Sequence, residues 1–358
     1  MLARRHDPVH EAVPEGVRVV PLYPRAVPAR WQKRWPVYAV LPALIRYLRR
    51  ARPDVVLAGS IPPNVVALLA RRLAGTRTAV ALRQSNVQHI VGDPDYTGIA
   101  PRRRDWMVRR FYRQADAIIA VAAGTADNVV KAAGVDPARV HVVPAGIDPE
   151  TARARAAESL DHPWFQDGGP PVLLNIGRQV PKKDQAMLLH AFAKLRAERD
   201  GRLVILGARA GAAPDLDALV ARLGLDAVVD RPGSVGNPFA YLARADLFVL
   251  SSISEGMPNA LLEAMAVGCP VVSTDCPSGP RELLDGGRVA PLVPVGDVDA
   301  LTAAMRAALD APPSAEALRA RAALFSVDRS AAAYVETLLN LVPPDSPHPA
   351  TAPSREVS

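Results

Sequence analysis

Short apolar runs, each about the length of a strand, alternate with segments of helical spacing along most of this chain. In the first half the runs fall at residues 17–22, 55–59, 78–82, 117–121 and 140–144. Helical spacing fills 37–52, 64–73, 102–115 and 125–133. The segment 37–52 ends in Arg46, Arg49, Arg50 and Arg52, cations that suit the partial negative charge of a helix C-terminus. The second half repeats the pattern, with strands expected at 172–176, 203–206, 228–229, 247–250, 270–274 and 289–293. Helices are expected up to Arg199, at 216–223, 239–245 and 298–309, and over NALLEAMAVG from Asn259 to Gly268. Two more, at 315–325 and 329–341, end the pattern. Such alternation predicts an α/β fold of parallel sheets with crossover helices, whose ligands bind outside the carboxyl ends of the strands. It places residues 83–86 at a sheet edge facing a cleft.

A chain of 358 residues is long enough for two domains. Residues 145–170 are polar, with proline and glycine and one short helical segment, and read as the connection between them. The layout is a first domain over 1–150, a linker over 151–170 and a second domain over 171–325. A Pro- and Ser-rich tail over 343–358 is expected to be disordered. With 49% hydrophobic residues and only 5% aromatic ones, the cores must be built from Ala, Val and Leu.

The longest apolar run, 37–45, contains Pro42 and falls short of the roughly 18 residues of a membrane span. MLARRHDPVH lacks the apolar core of a signal peptide, so a soluble, cytoplasmic chain is expected. The two cysteines, Cys269 and Cys276, flank one apolar strand without metal-ligand spacing, and read as reduced thiols. Charge is unevenly shared. Residues 1–168 hold 25 Lys+Arg against 15 Asp+Glu, or +10, and the remainder 18 against 21, or −3. The first half therefore calls for an anionic partner: nucleic acid, phospholipid or a phosphorylated substrate.

Candidate chemistry concentrates in residues 251–280, SSISEGMPNALLEAMAVGCPVVSTDCPSGP. A strand delivers Glu255, a Gly-Met-Pro turn follows, and a helix then carries Glu263. The first amides of such a helix have no intrahelical partner and form an anion site. Glu255 reads either as a carboxylate capping that helix or as a site residue. Arg178 and Lys183 follow one strand and precede a helix, so both can reach a cleft. There they would stabilise an anionic group electrostatically without moving a proton.

EGMPNALLE, with Ser251-Ser252 ahead of it and EAMAVGCPVVSTD behind, resembles the paired-glutamate motif of retaining glycosyltransferases of family 4, the glycosyl transferases group 1. Asn175-Ile-Gly-Arg178 with Lys183 resembles the family's phosphate-binding segment, and LVILG at 203–207 the strand after it. Gly233-Ser-Val235 with Asn237-Pro238 resembles the base-binding loop, and ARADLFVLSS the strand leading to the glutamates. The match is dense from about Val140 to about Leu301.

The resemblance implies a GT-B fold, two Rossmann-like parallel-sheet domains facing across a cleft, with a helix over 326–342 returning to the first domain. It implies a nucleotide-sugar donor held by Gly177, Arg178 and Lys183, the last favoured over Lys182 by spacing. The amides of Gly256, Met257, Asn259 and Ala260 would meet phosphate and sugar; Pro258 has no N–H. Glu255 would accept from sugar hydroxyls, Glu263 from the ribose, and the backbone of Val235 would meet the base. Reaction on one face of the sugar needs no protein nucleophile, and none stands out. Many family members carry a histidine beside the sugar in the first domain. LRQSN at 82–86 has none, which leaves Ser85 and Asn86 on the acceptor side, with His89 at the wrong offset. The strand and Gly-rich turn that usually open the first domain have no counterpart before Val17, and the start reads as truncated or misplaced.

Residues 102–114, RRRDWMVRRFYRQ, read either as a basic amphipathic surface touching a membrane and a lipid-diphosphate acceptor, or as an ordinary helix with a core stripe. No nucleic-acid module is present. Asp297-Val-Asp299 starts a helix, where Asp297 is better explained as its N-cap than as a metal ligand, so neither a metal nor another cofactor is expected. The leading reading is a glycosyltransferase of cell-surface polysaccharide or glycolipid synthesis, cytoplasmic and peripheral at the inner membrane face. A catalytically impaired nucleotide-sugar binder and a GT-B epimerase remain as alternatives. A dinucleotide dehydrogenase is disfavoured, because no strand leads into G-x-G-x-x-G.

Overall fold

The computed structural model describes residues 16–20, 22, 38–87, 101–166, 168–209 and 215–344. Four parallel strands, β1 (Val55–Gly59), β2 (Ala79–Gln84), β3 (Ala117–Ala120) and β4 (Val140–Val142), lie in the order β1-β2-β3-β4. Helices α1 (Leu41–Ala51), α2 (Ile61–Ala74), α3 (Pro101–Phe111) and α4 (Ala123–Ala133) accompany them. The unbroken apolar runs of β2 and β3 suit strands covered on both faces, with Leu82 opposite Ile118 and both fully buried. α2 and α4 stop at Gly75 and Gly134, each left-handed (φ 65° and 61°), where a glycine carries no steric cost.

The second sheet has six parallel strands. They are β5 (Val172–Ile176), β6 (Arg202–Leu206), β7 (Val229–Gly233), β8 (Leu247–Leu250), β9 (Val271–Thr274) and β10 (Leu292–Val293). Their order is β10-β9-β8-β5-β6-β7, so the chain starts in the middle, runs to one edge and returns to the other side of β5. The connections leaving β5 and β8 lead to opposite sides of the sheet, which makes their carboxyl ends the switch point where ligands bind in doubly wound folds. α6 (Gln185–Arg196), α7 (Leu216–Arg222), α8 (Pro238–Leu242), α9 (Asn259–Val267), α10 (Pro280–Leu283) and α11 (Val298–Asp310) belong to this half. α12 (Ala315–Ala323) and α13 (Val327–Leu339) follow.

Three expectations are corrected. Residues 17–20 and 22 form no strand: Val17 is 58% exposed, and Leu22 packs as a loop residue beside Leu44 and Val66. The strand expected at 289–293 is confined to Leu292–Val293, because Val289 still donates to Leu284 in the preceding turn. Residues 151–166 are no free linker. Their α5 (Pro149–Ala156) buries Ala152 in the core of the second domain beside Val172 and Leu261. His162, also buried, bonds to Asp230 at 3.0 Å and meets Trp164, Phe165 and Tyr241 edge to face.

The chain instead crosses between domains near Ile147, whose N–H donates to Phe325 O (2.8 Å) and whose carbonyl accepts from Val327 N (3.1 Å). Gly146 is required there, since a Cβ would stand 2.5 Å from Val327 Cα. α13 then touches the first domain through Tyr334, which accepts from Arg83 Nε (2.9 Å), and Ser330, which donates to Pro144 O (2.8 Å).

Candidate functional site

Two loops meet at the switch point of the second sheet. After β5 the chain passes Gly177, whose N–H donates to Leu206 O (2.9 Å), and turns through Pro181–Lys183 into α6. Asp184 takes a left-handed conformation and caps α6 by accepting from Met187 N (3.2 Å); burial raises its carboxyl. The Lys183 stem runs past Gly177, where a Cβ would stand 3.2 Å from Lys183 Cε. After β8 the second loop is tied to the first through its backbone. Ser251 Oγ donates to Lys183 O (2.9 Å) and Ile253 N to Lys182 O (2.8 Å). Lys182 is thereby buried while Arg178 stays exposed on the same loop.

Against this backbone, Lys183 Nζ donates to Glu255 Oε1 at 2.6 Å and Ser252 Oγ donates to the same oxygen at 2.7 Å. Side-chain exposures of 17% and 7% make this a largely desolvated ion pair, which needs such added hydrogen bonds to offset its dehydration. Glu255 is therefore not the cap of α9. The N-cap of α9 is Pro258, without a side-chain hydrogen bond, and no acidic residue lies in the first turn. Leu261 N and Leu262 N return to Pro258 O, which leaves Asn259 and Ala260 as the leading amides. Met257 is buried against the core.

Glu263 lies half-buried on α9, its carboxyl raised by burial and pulled partly back by the Arg155 guanidinium. Arg155 also donates to Gly236 O (3.2 Å), next to Val235, which packs partly buried on the core. Arg155 was invisible in the sequence, because it sits in the segment read as a linker.

The first domain supplies the facing wall. Asn86, just past β2, forms an antiparallel bridge with Gly256, and a Cβ on Gly256 would collide with the Ser85 carbonyl. Only glycine fits that contact. At the head of α4, Ala123 N and Gly124 N donate to the Glu282 carboxylate of α10 (3.0 and 3.2 Å), and Thr125 Oγ1 bonds Ser278 Oγ (2.8 Å). Glu282 was also missed; its signal is only that it follows directly on the 251–280 stretch. His89 lies outside the described residues. Asp297 caps α11 through Ala300 N (2.8 Å), and Asp299 pairs with Lys194 (2.5 Å). On α3, Arg102, Arg103, Trp106, Arg109 and Arg110 share the exposed face, Trp106 being 60% exposed, while Met107 and Val108 point inward. Among the described residues no helix is long and apolar enough to cross a membrane.

Known proteins resemble both halves. Residues 1–146 match the glycosyl transferase 4-like domain, and residues 170–311 match glycosyl transferases group 1. A Campylobacter jejuni N-acetylgalactosamine-N,N'-diacetylbacillosaminyl-diphospho-undecaprenol 4-alpha-N-acetylgalactosaminyltransferase is 28% identical over 69% of this chain and 65% of its own length. A Mycobacterium tuberculosis GDP-mannose-dependent alpha-mannosyltransferase is 30% identical over 81% of this chain and 72% of its own. Other curated relatives are matched over shorter shares, 48% and 28% of their length. Anabaena Alr3699/HepE, solved with UDP and glucose, superposes with a TM-score of 0.72 at 19% identity, over 87% of this chain and 83% of that one. That likeness gives the fold, two parallel-sheet α/β domains of GT-B type. With both halves matched in order, and the mycobacterial relative matched at 30% identity over most of its length, the chain belongs to the group 1 glycosyltransferases.

Proposed function

We propose that this protein transfers a sugar, with retention, from a nucleoside-diphosphate donor to a glycan or lipid-linked acceptor. The observation that carries the reading is the Lys183–Glu255 pair at the switch point, beside the uncapped head of α9 and under the Ser85–Asn86 wall. Lys183 has three N–H donors and uses one on Glu255, so two serve the phosphates. Both bonds to Glu255 fall on Oε1, which leaves Oε2 to accept from sugar hydroxyls. Arg178 and the amides of Asn259 and Ala260 add positive potential where charge develops on the leaving group. Glu263 and the Val235 loop take the ribose and base. In the reacting step the C1–O bond to the β-phosphate breaks and the acceptor oxygen bonds C1 from the same face. The acceptor proton passes to the departing phosphate oxygen. These cations and dipoles meet the leaving-group charge without a divalent metal, so chelator is expected to leave turnover unchanged.

A lipid-linked acceptor is supported by the α3 face, where arginines surround an exposed Trp106, the composition of a helix lying on an anionic surface. The Campylobacter relative, named for a diphospho-undecaprenol substrate, agrees in chemistry. The reading is tested with a panel of UDP-, GDP- and ADP-sugars. Wild type should turn over at least one donor, and Glu255→Gln and Lys183→Ala should lose about 100-fold or more in kcat/KM. No turnover with any donor, or variants as active as wild type, would overturn it. The anomeric configuration of the product, read by NMR, decides retention.

A further inference from the structure

We propose that Gln84 is a positioning residue for the acceptor wall of the cleft, held by a buried polar relay that starts at Asn64. The proposal rests on the transfer reading above. Gln84 is the last residue of β2, and its Nε2 donates to the Asn86 carbonyl at 2.6 Å, which closes the Ser85–Asn86 turn. Its Oε1 faces the Tyr112 hydroxyl at 3.5 Å, and that hydroxyl accepts from Asn64 Nδ2 at 2.9 Å. Asn64 and Tyr112 are fully buried and Gln84 is 5% exposed. Burial raises the Tyr112 phenol, which keeps its proton and remains a donor.

Around the relay the core is aliphatic, with Leu68, Leu82 and Ile118, and Asn64 Oδ1 has no hydrogen-bond partner among the described residues. A buried polar chain with an unmet acceptor is less stable than apolar side chains of the same shape. What it supplies is direction. The relay ends on the Asn86 backbone, Asn86 bridges Gly256, and Gly256 directly follows Glu255. The amide orientation of Gln84 thus sets how the first domain's wall meets the loop that carries Glu255.

Gln84→Met keeps the volume and loses the donor; Tyr112→Phe removes only the hydroxyl. Hydrogen exchange over residues 84–87 and 255–257 is measured beside transfer kinetics. In Gln84→Met exchange of both segments should rise about tenfold or more, as expected once the tie to Asn86 is lost. Its kcat should fall by up to about 100-fold while donor KM stays within about twofold, the pattern of a misplaced reacting group. Tyr112→Phe should shift both readouts in the same direction, by less. Unchanged exchange at these segments overturns the proposal. So does a kcat equal to wild type, or a loss that appears in donor KM. A wild-type protein inert on every donor sinks the transfer reading, and exchange alone then decides whether Gln84 holds the Asn86–Gly256 contact.

Discussion

Lys183 and Glu255 are worth more to each other than to the fold. Each is largely desolvated, so removing one strands the other's charge in a poorly hydrated site. Lys183→Ala should cost about 3 kcal/mol, read as a lower thermal midpoint, whereas Lys183→Met with Glu255→Leu should recover most of it. Glu263 has the opposite sense. Its carboxyl is raised by burial more than Arg155 lowers it, so the folded chain binds more protons there than the unfolded one. Its contribution is full in acid and fades as pH rises through the folded value. Melting curves of Glu263→Gln and wild type should therefore coincide in mild acid and diverge towards neutrality, with the Gln variant the more stable. The two thiols are a third case. Burial pushes Cys269 and Cys276 up to about 12, and the negative charge of Glu255 adds to the shift at Cys276. Neither forms appreciable thiolate near neutrality. Alkylation by iodoacetamide should appear only on unfolding; rapid labelling of the native chain would contradict this burial.

Among the elements, α9 and α3 show how far periodicity reaches. NALLEAMAVG reads as a helix because Leu261, Leu262 and Met265 recur on one face, and those residues are buried in the structure. Spacing could not show that the head of this helix lacks a side-chain cap, because that depends on where Ser252 and Lys183 draw the Glu255 carboxylate. On α3 Met107 and Val108 face inward while Trp106 and four arginines face outward, the core stripe and charged face of an ordinary amphipathic helix. If that face lies on a bilayer, the protein should sediment with anionic vesicles and not with zwitterionic ones. Trp106→Ala with Arg109→Ala and Arg110→Ala should then weaken binding by about 1 kcal/mol per arginine, and salt should do the same. Equal sedimentation of the variant would remove α3 from the membrane contact.

At the scale of the whole molecule, contacts from several elements join the two domains, and Val121 and Ala122 share a buried cluster with Met257 and Leu261. Glu282 caps α4 from across the cleft, Gly256 lies against Ser85, and the hinge pairs Ile147 with Ser326. The carboxylate meets unpaired amides at the positive end of the α4 dipole, which favours the closed arrangement. Glu282→Ala should cost about 1 kcal/mol and shift the solution ensemble towards open domains, seen as a larger radius of gyration by X-ray scattering. Gly256→Ala should hold the walls apart by driving a Cβ into the Ser85 carbonyl, abolishing transfer while nucleoside-diphosphate binding to the second domain persists. An unchanged radius in Glu282→Ala would show that the clasp does not set closure.

Strands and helices were legible because residues covered on both faces must be apolar in unbroken runs, and helical faces repeat every three or four positions. Motif likeness marked Arg178, Lys183, Glu255 and Glu263 as residues of one site. What no local pattern encodes is that β5 lies beside β8, which brings Lys183 within hydrogen-bond reach of a carboxylate 72 positions away. Nor does it encode that α5 belongs to the second core, or that Glu282 reaches the other domain. Spacing reports which shape a segment prefers; neighbours distant in sequence are chosen when whole faces pack together, and no short stretch carries that choice.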